Sequence, residues 1–373
     1  MIGTLRISTD ALRQNARNLR ELAAPAKAAF VVKSNAYGHG LIPVARAIEE
    51  FADALCVYAV EEGLALRKAG VKVPIMVLGP TPVERLEEAF AQQLQITLWD
   101  AAAYLDTVAN VARRHSGVFR VQIKIDTGIR RLGLDPRDAP KAIERCLRTP
   151  GIEVAGVFSH LASAEELDST FTLAQVETLE SVLRAVHFDA RPALPLRHIA
   201  ASAAAMLWPQ TRLDLVRFGI ALYGLWPSKE TRAAMPDDFR LHPALSFESR
   251  LIAVRKVEPG TPIGYGGTFR SPRAMRIGVV PFGYADGIPR LLSNRGAFLV
   301  AGRRCPIVGR VCMNMTMVDL AQTHARPGDP VVLIGSQGEA AVAVEDWADW
   351  AETINYEIVT RLPAELTRTY DER

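Results

Sequence analysis

The sequence predicts an α/β protein, with an N-terminal (β/α)8 TIM-type barrel over residues 1–238 and a C-terminal mostly-β domain over residues 239–373. Three observations carry this. Short apolar runs alternate with segments of helical periodicity through roughly the first 220 residues. Beyond residue 240 the alternation gives way to strand-like runs separated by turn signals. Titratable residues collect just after the apolar runs, at the strand ends where barrels of this class carry their chemistry.

A strand near Thr4–Ile7 opens the chain, and helical spacing runs from about Thr9 to Leu22. Strand-like runs then recur near 28–33, 53–59, 73–79, 94–99, 118–126, 153–160, 195–199 and 213–217. They are short and apolar, as strands buried on both faces of a parallel sheet must be. Helical periodicity follows most of them: Leu41–Phe51, Glu61–Ala69, Pro82–Gln92, Asp100–His115, Pro136–Arg148 and Phe171–Phe188. Eight such units point to a closed barrel rather than an open sheet. The polar, proline-containing stretch Ser228–Pro243 reads as the linker. Strands are then expected at Leu245–Val257, Arg276–Val280, Phe298–Val300, Arg304–Val308, Thr316–Leu320 and Pro330–Leu333, separated by glycine- and proline-containing turns. A helix over Ala340–Thr353 leads into Ile354-Asn355-Tyr356-Glu357.

Composition excludes several classes. Charged residues are 23% of the chain, hydrophobic residues 49%, and the net charge is +3. No run of lysine and arginine exceeds two, which argues against a nucleic-acid tract or a membrane-surface patch. The four cysteines lack CxxC spacing, so neither a disulfide framework nor a metal site is expected. Residues 1–10 hold no signal-length apolar stretch and no segment has bilayer length, so the expectation is a soluble cytoplasmic protein.

Lys33 is the first candidate site residue. It follows the run Ala28–Val32 and opens into Ser34-Asn35-Ala36-Tyr37-Gly38-His39-Gly40. An amine at such a strand end can form a Schiff base with an aldehyde cofactor or shuttle a proton; alone, it reads first as a surface cation closing a strand. Other strand ends bring Lys124, Asp126 and Arg131, then His160, then His198 and Ser202, then Arg217 and Gly219. Arg217-Phe218-Gly219-Ile220 is either a strand ending in a glycine turn or a cradle whose Gly219 and Ile220 N–H groups open a helix and hold a phosphate. His160 reads as a core histidine or a catalytic one, and Arg131 as a loop cation or a carboxylate anchor. Tyr265 is flanked by Gly264, Gly266 and Gly267, which permit close approach to a ligand. Tyr284 and Met313 read on their own as core.

Eight stretches, in order along the whole chain, closely resemble the alanine racemases. They are VVKSNAYGHG (31–40), KIDTGIRRLG (124–133), VFSHLA (157–162), LVRFGIALYGLWP (215–227), GYGGTF (264–269), PFGYADGIPR (281–290), GRVCMNMTMVDL (309–320) and INYE (354–357). The resemblance implies a racemase dependent on pyridoxal 5′-phosphate (PLP) that interconverts L- and D-alanine and supplies D-alanine for peptidoglycan. Lys33 would carry the cofactor as a Schiff base. Tyr37, Ser202, Gly219, Ile220 and Tyr356 would hold its phosphate, and Arg217 would face its pyridine nitrogen. Arg131 and the Met313 backbone would engage the substrate carboxylate, with Tyr284 beside them. Tyr265 would come from the second subunit of a homodimer with shared active sites. Lys124 would react with CO2 to form a carbamate that orients Arg131.

That set makes chemical sense. Racemisation removes a proton from one face of Cα and returns one to the other, so two bases, Lys33 and Tyr265, must flank a planar centre. A phenol of ordinary pKa is a poor base at neutral pH, and a hydrogen bond from His160, itself near Arg217, would favour the phenolate. Arg217 would keep the pyridine nitrogen unprotonated, because a guanidinium does not readily release its proton.

The chain departs from the family pattern at Ile129 and Arg130, where methionine and glycine are usual, at Ala201 for asparagine, and at Asn314 for aspartate. No base is lost. The last two departures leave open a broader racemase acting on serine, lysine or arginine. A non-catalytic PLP-carrying barrel is the third reading, and Tyr265 in its glycine-rich loop argues against it.

Overall fold

A computed structural model of the protein describes residues 3–187, 195–321 and 323–371. The last residue of the expected helix Phe171–Phe188 lies outside the described residues. The chain forms two compact units that alternate in sequence: one holds Ala11–Ala36 and Leu41–His242, the other Met1–Asp10, Tyr37–Gly40 and Pro243–Arg373.

The first strand, β1 (Gly3–Ser8), belongs to the second of these units. The barrel strands are β2 (Lys27–Val31), β3 (Ala54–Val57), β4 (Ile75–Val77), β5 (Leu94–Leu98), β6 (Phe119–Lys124), β7 (Ile152–Phe158), β8 (Leu196–His198) and β9 (Leu215–Phe218). They pair in parallel in the order β8-β7-β6-β5-β4-β3-β2-β9. The ends of that row meet where Ala201 bridges Arg217 and the Arg217 N–H donates to the Ala200 carbonyl at 3.1 Å. All eight expected units are present, and the runs that read as doubly buried are so: every residue of β3, β4, β5 and β9 is buried.

Helices surround these strands at Thr9–Ala23, Leu41–Ile48, Val60–Lys68, Leu86–Ala91, Ala101–Arg114, Ala139–Arg148 and Thr170–Ala185. The expected linker Ser228–Pro243 is partly helical. Ser228 Oγ accepts the Thr231 N–H at 3.0 Å and starts a helix over Lys229–Ala234, so some of its polarity is N-cap chemistry.

The other unit is built on a seven-stranded sheet ordered β16-β15-β18-β10-β1-β20, with β19 also on β18. Here β10 is Leu245–Arg250, β15 Ala297–Val300, β16 Arg303–Pro306, β18 Pro330–Gln337, β19 Ala340–Val342 and β20 Arg368–Asp371. A three-stranded sheet joins β11 (Ala253–Val257), β14 (Met275–Val280) and β17 (Thr316–Asp319), and a small ribbon joins β12 (Pro262–Ile263) to β13 (Phe269–Arg270). Phe247, Phe298 and Trp347 are fully buried in this unit, and Trp347 Nε1 donates to the Leu333 carbonyl at 3.1 Å.

Two expectations are corrected. Leu245–Val257 is not one strand. The chain changes sheet at Leu251 and Ile252, whose N–H groups donate to Asp329 and Val279 at 3.0 and 2.9 Å. Ala340–Thr353 is not one helix either. Gly338, at φ +64°, turns the chain so that β19 pairs back onto β18, and helices follow at Val344–Trp350 and Asn355–Thr360. Among the described residues no helix is long and apolar enough to cross a membrane.

Candidate active site

The chain leaves β2 through Val32 and enters a left-handed turn. Ser34, Asn35, Ala36 and Tyr37 have φ of 55°, 55°, 52° and 51°. Each non-glycine residue in this region costs about 1–2 kcal/mol, so the turn needs anchors. Glu62 Oε1 accepts the Ser34 N–H at 2.6 Å, Asn35 Oδ1 accepts the Leu41 N–H at 2.9 Å, and the Ala36 N–H donates to Val32 at 2.9 Å. Glu62 lies in the next βα unit, where its other oxygen accepts the N–H groups of Tyr58 and Ala59 at 2.9 and 3.2 Å. Sequence reasoning missed Glu62. Its signal was an acid three residues into a helix.

Lys33, half-buried at the head of this turn, has its pKa lowered by burial and then by the nearby Arg131 cation, against an opposing pull from Glu62. More of its amine is therefore neutral, and nucleophilic, than on an ordinary lysine.

Arg217 lies within β9 rather than after it and is almost fully buried. Its guanidinium donates to His198 Nδ1 at 2.6 Å, His160 Nδ1 at 3.3 Å, and the carbonyls of Ser159 and Ile199 at 2.7 and 3.1 Å. It also stands over the Phe158 ring, 5.2 Å from its centroid. Burial lowers its pKa to about 10, which leaves it charged at neutral pH. A guanidinium only donates, so both histidines accept at Nδ1 and carry their proton on Nε2. His198 then donates to Gln122 Oε1 at 3.0 Å, and Gln122 Nε2 donates to Gln95 Oε1 at 2.6 Å. Burial, followed by Arg217 and other cations, brings the His160 pKa down to about 3; the same two causes hold His198 well below its ordinary value. Both are neutral.

Lys124 ends β6 and is 5% exposed. Burial first, then Arg131 and Arg217, lowers its pKa to about 8. The loop beyond it is pinched at its base, because Leu134 donates to Lys124 and accepts from Asp126 at 2.8 and 3.0 Å. Asp126 Oδ1 accepts the N–H groups of Gly128 and Arg130, both at 3.0 Å. Arg131 is exposed on that loop.

Ser202 begins the helix Ser202–Leu207, and its Oγ accepts the Gly219 N–H at 3.0 Å. Ile220 begins a four-residue 3-10 turn, Ile220–Tyr223, rather than an α-helix. The buried Ser202 hydroxyl thus shares one corner of the barrel end with the backbone of Gly219 and Ile220, and the Gly219 N–H is already given to Ser202 Oγ. The Ser202 O–H and the Ile220 N–H are donors of the kind that suit a phosphate dianion. Among the described residues no His, Cys, Asp and Glu cluster could hold a metal ion.

The other candidates lie in the second unit. Tyr37 and Tyr356 are brought together, with ring centroids 6.3 Å apart. The segment Tyr37–Gly40 is tied to β20: Arg368 Nε donates to the Gly38 carbonyl at 2.8 Å and Tyr370 Oη to the His39 carbonyl at 3.0 Å. Tyr284 and Met313 are neither of them core. Their loops zip together, with Tyr284 N–H to Cys312 at 2.9 Å and Ala285 N–H to Met313 at 2.9 Å. Gly283 allows that approach, since a Cβ there would stand 2.1 Å from the Cys312 oxygen. Tyr265 is 71% exposed in a turn whose glycines Gly264, Gly266 and Gly267 have φ of 72°, 71° and 54°.

Comparison with known proteins gives the family of the chain. Family models for the alanine racemase N-terminal and C-terminal domains match residues 7–227 and 244–370. The chain is 39% identical over 367 residues to alanine racemase of Halothermothrix orenii, covering 98% of this chain and 95% of that one. The structure of alanine racemase from D-cycloserine-producing Streptomyces lavendulae superposes with TM-score 0.95 at 36% identity, covering 100% of this chain and 98% of that one. That of Bartonella henselae, which has covalently bound pyridoxal phosphate, superposes with TM-score 0.87 at 28% identity over all of both chains. The chain belongs to the alanine racemase family of isomerases.

Proposed function

We propose that this enzyme interconverts L- and D-alanine with PLP bound through Lys33, and that two bases, Lys33 and Tyr265 of the partner subunit, serve opposite faces of the substrate. The observation that carries the reading is the barrel end itself, where a lysine of lowered pKa stands among cations and where the hydrogen-bonded Ser202 and Gly219 follow β8 and β9. Such a site suits a phosphate dianion and a substrate carboxylate.

When bound, PLP supplies a conjugated ring that takes up the electron pair left as an amino acid loses its α-proton. Ser202, Gly219 and Ile220 would hold its phosphate, and Tyr37 and Tyr356 are proposed as further phosphate ligands. Arg217 would face the pyridine nitrogen and leave it unprotonated, because its four protein acceptors fix a guanidinium that remains charged at neutral pH. Arg131 and the Met313 backbone orient the substrate carboxylate, with Tyr284 beside them. Lys33 Nζ takes or returns the α-proton on one face. On the other face Tyr265 Oη does so, and the His160 Nε2–H steadies its phenolate. A Lys124 carbamate, formed by the neutral amine and CO2, orients Arg131.

A homodimer follows from that division of labour. Tyr265, Tyr284, Met313 and Met315 are large, exposed and apolar, as a surface that completes a neighbouring site would be. In the cytoplasm the product D-alanine would supply peptidoglycan synthesis. A chiral assay of cofactor-loaded protein on alanine, serine and lysine tests the reading. Turnover on alanine with a large loss in Tyr265→Phe, which still binds PLP, is expected. Wild-type rates in Tyr265→Phe in both directions would sink the two-base assignment. Ala201 beside Ser202, and Asn314 beside Met313, favour a broader racemase as the second reading, which comparable rates on serine or lysine would establish.

A further inference from the structure

A second charged cleft lies far along the sequence from the barrel loops, in the sheets of the second unit. It has a volume of about 440 Å³ and is lined by Arg273, Arg303, Arg304, Cys305, Ala321 and Thr323. It sits where two sheet edges meet. β16 is the outer strand of the seven-stranded sheet, β17 the outer strand of the three-stranded one, and an antiparallel bridge from Ile307 to Val318 joins them.

Its side chains are unevenly satisfied. Arg273 donates to Asp319 at 2.9 Å, and the other oxygen of Asp319 accepts the Ala321 N–H at 2.8 Å. Arg304 is held by Asp346 at 2.8 Å and by the Ala341 carbonyl. Arg276, behind the cleft, is bound to the carbonyls of Thr323 and Ala325. Arg303, which is exposed, has no carboxylate partner among the described residues. Three guanidiniums therefore line the cleft against two carboxylates, both already engaged. Thr323 is 6% exposed, and its hydroxyl has no hydrogen-bond partner among the described residues although it lines the cleft. Leaving a buried hydroxyl without a partner costs about 1–3 kcal/mol, so an acceptor is wanted there. Cys305 offers no competing anion, because burial raises its pKa to about 11 and keeps it a thiol.

We propose that this cleft is an oxyanion site that takes a phosphate group, with Arg303 supplying the charge-assisted contact and the Thr323 hydroxyl a neutral one. The second face of Arg273 adds a further cation. The site is independent of the reaction at Lys33 and rests on no residue of it.

Isothermal titration of inorganic phosphate into the cofactor-loaded protein, at ionic strength held constant with chloride, tests the proposal; PLP then occupies the barrel's own phosphate corner. Saturable binding with Kd of about 1 mM or tighter is expected. Arg303→Ala should weaken it at least about tenfold, and Thr323→Val about fivefold, the worth of one neutral hydrogen bond. Thr323→Ser keeps the hydroxyl and should bind like the parent, which separates its role from packing. A nucleoside monophosphate run in parallel identifies the source: tighter binding than phosphate marks an ester ligand, equal binding the free ion. No saturation by about 10 mM, or unchanged affinity in folded Arg303→Ala, would overturn the site.

Discussion

Arg217 donates to Nδ1 of His198 across 2.6 Å, and this one contact sets the direction of every hydrogen bond behind it. The proton of His198 must sit on Nε2, so His198 points at Gln122 and Gln122 at Gln95. Long-range nitrogen–proton NMR correlation should therefore find both His198 and His160 as Nε2–H tautomers. An Nδ1–H signal from either ring would contradict the arrangement. Arg217→Lys cannot reproduce the fork and should lose about 1–3 kcal/mol of stability as buried acceptors are left without donors, read by denaturant unfolding.

The same histidines make stability depend on pH. Both have folded-state pKa values below the ordinary 6.5, so below that pH the unfolded chain binds protons that the folded one refuses. Their contribution is complete above pH 6.5 and declines as the pH falls toward about 3, the folded value for His160. His160 alone costs about 1.4 kcal/mol per pH unit within that window, and His198 acts in the same direction. Melting temperature followed from pH 7 to 5 should fall, and His198→Gln should flatten part of the slope. An identical slope in that variant would refute the assignment.

Glu62 is a positioning residue for Lys33. Its carboxylate ties the left-handed turn to the next βα loop through three N–H groups. Glu62→Ala should cost about 1–2 kcal/mol and slow cofactor capture. Glu62→Gln keeps an acceptor but removes the negative charge that raises the Lys33 pKa. Its amine should then titrate lower, and capture of PLP by the apoprotein, followed by visible absorbance, should reach half-maximal rate at a lower pH. A shift to higher pH would be the wrong sign.

Gly283→Ala places a methyl group 2.1 Å from the Cys312 oxygen at a backbone conformation any residue can adopt, so its effect is steric. The loops of Tyr284 and Met313 should separate. A raised KM for alanine with cofactor binding unchanged is expected, and unaltered kinetics would show that these loops do not meet the substrate.

Much of this was legible in the chain. The eight barrel strands declared themselves because doubly buried strands are continuous apolar runs, and Lys33 stood out because polar residues follow its run directly. Pairings distant in sequence were not readable. Nothing local says that Gln122 lies beside His198, or that Glu62 reaches Ser34. Four successive non-glycine residues in a left-handed turn oppose every propensity, so only the anchors reveal why they tolerate it. Ala340–Thr353 misled through its helix-forming composition, whereas the glycine at 338 had already turned the chain back onto β18.

Strand β1 lies between β10 and β20, and the segment Tyr37–Gly40, just after the Lys33 turn, is tied to Arg368 and Tyr370. Residues 3–8 therefore complete their pairing only with partners more than 230 and 360 positions away in the chain. A nascent polypeptide halted before residue 368 has its barrel strands but lacks the clasp on Gly38 and His39. The turn after Lys33 thus takes its outer support from the far end of the second unit's sheet.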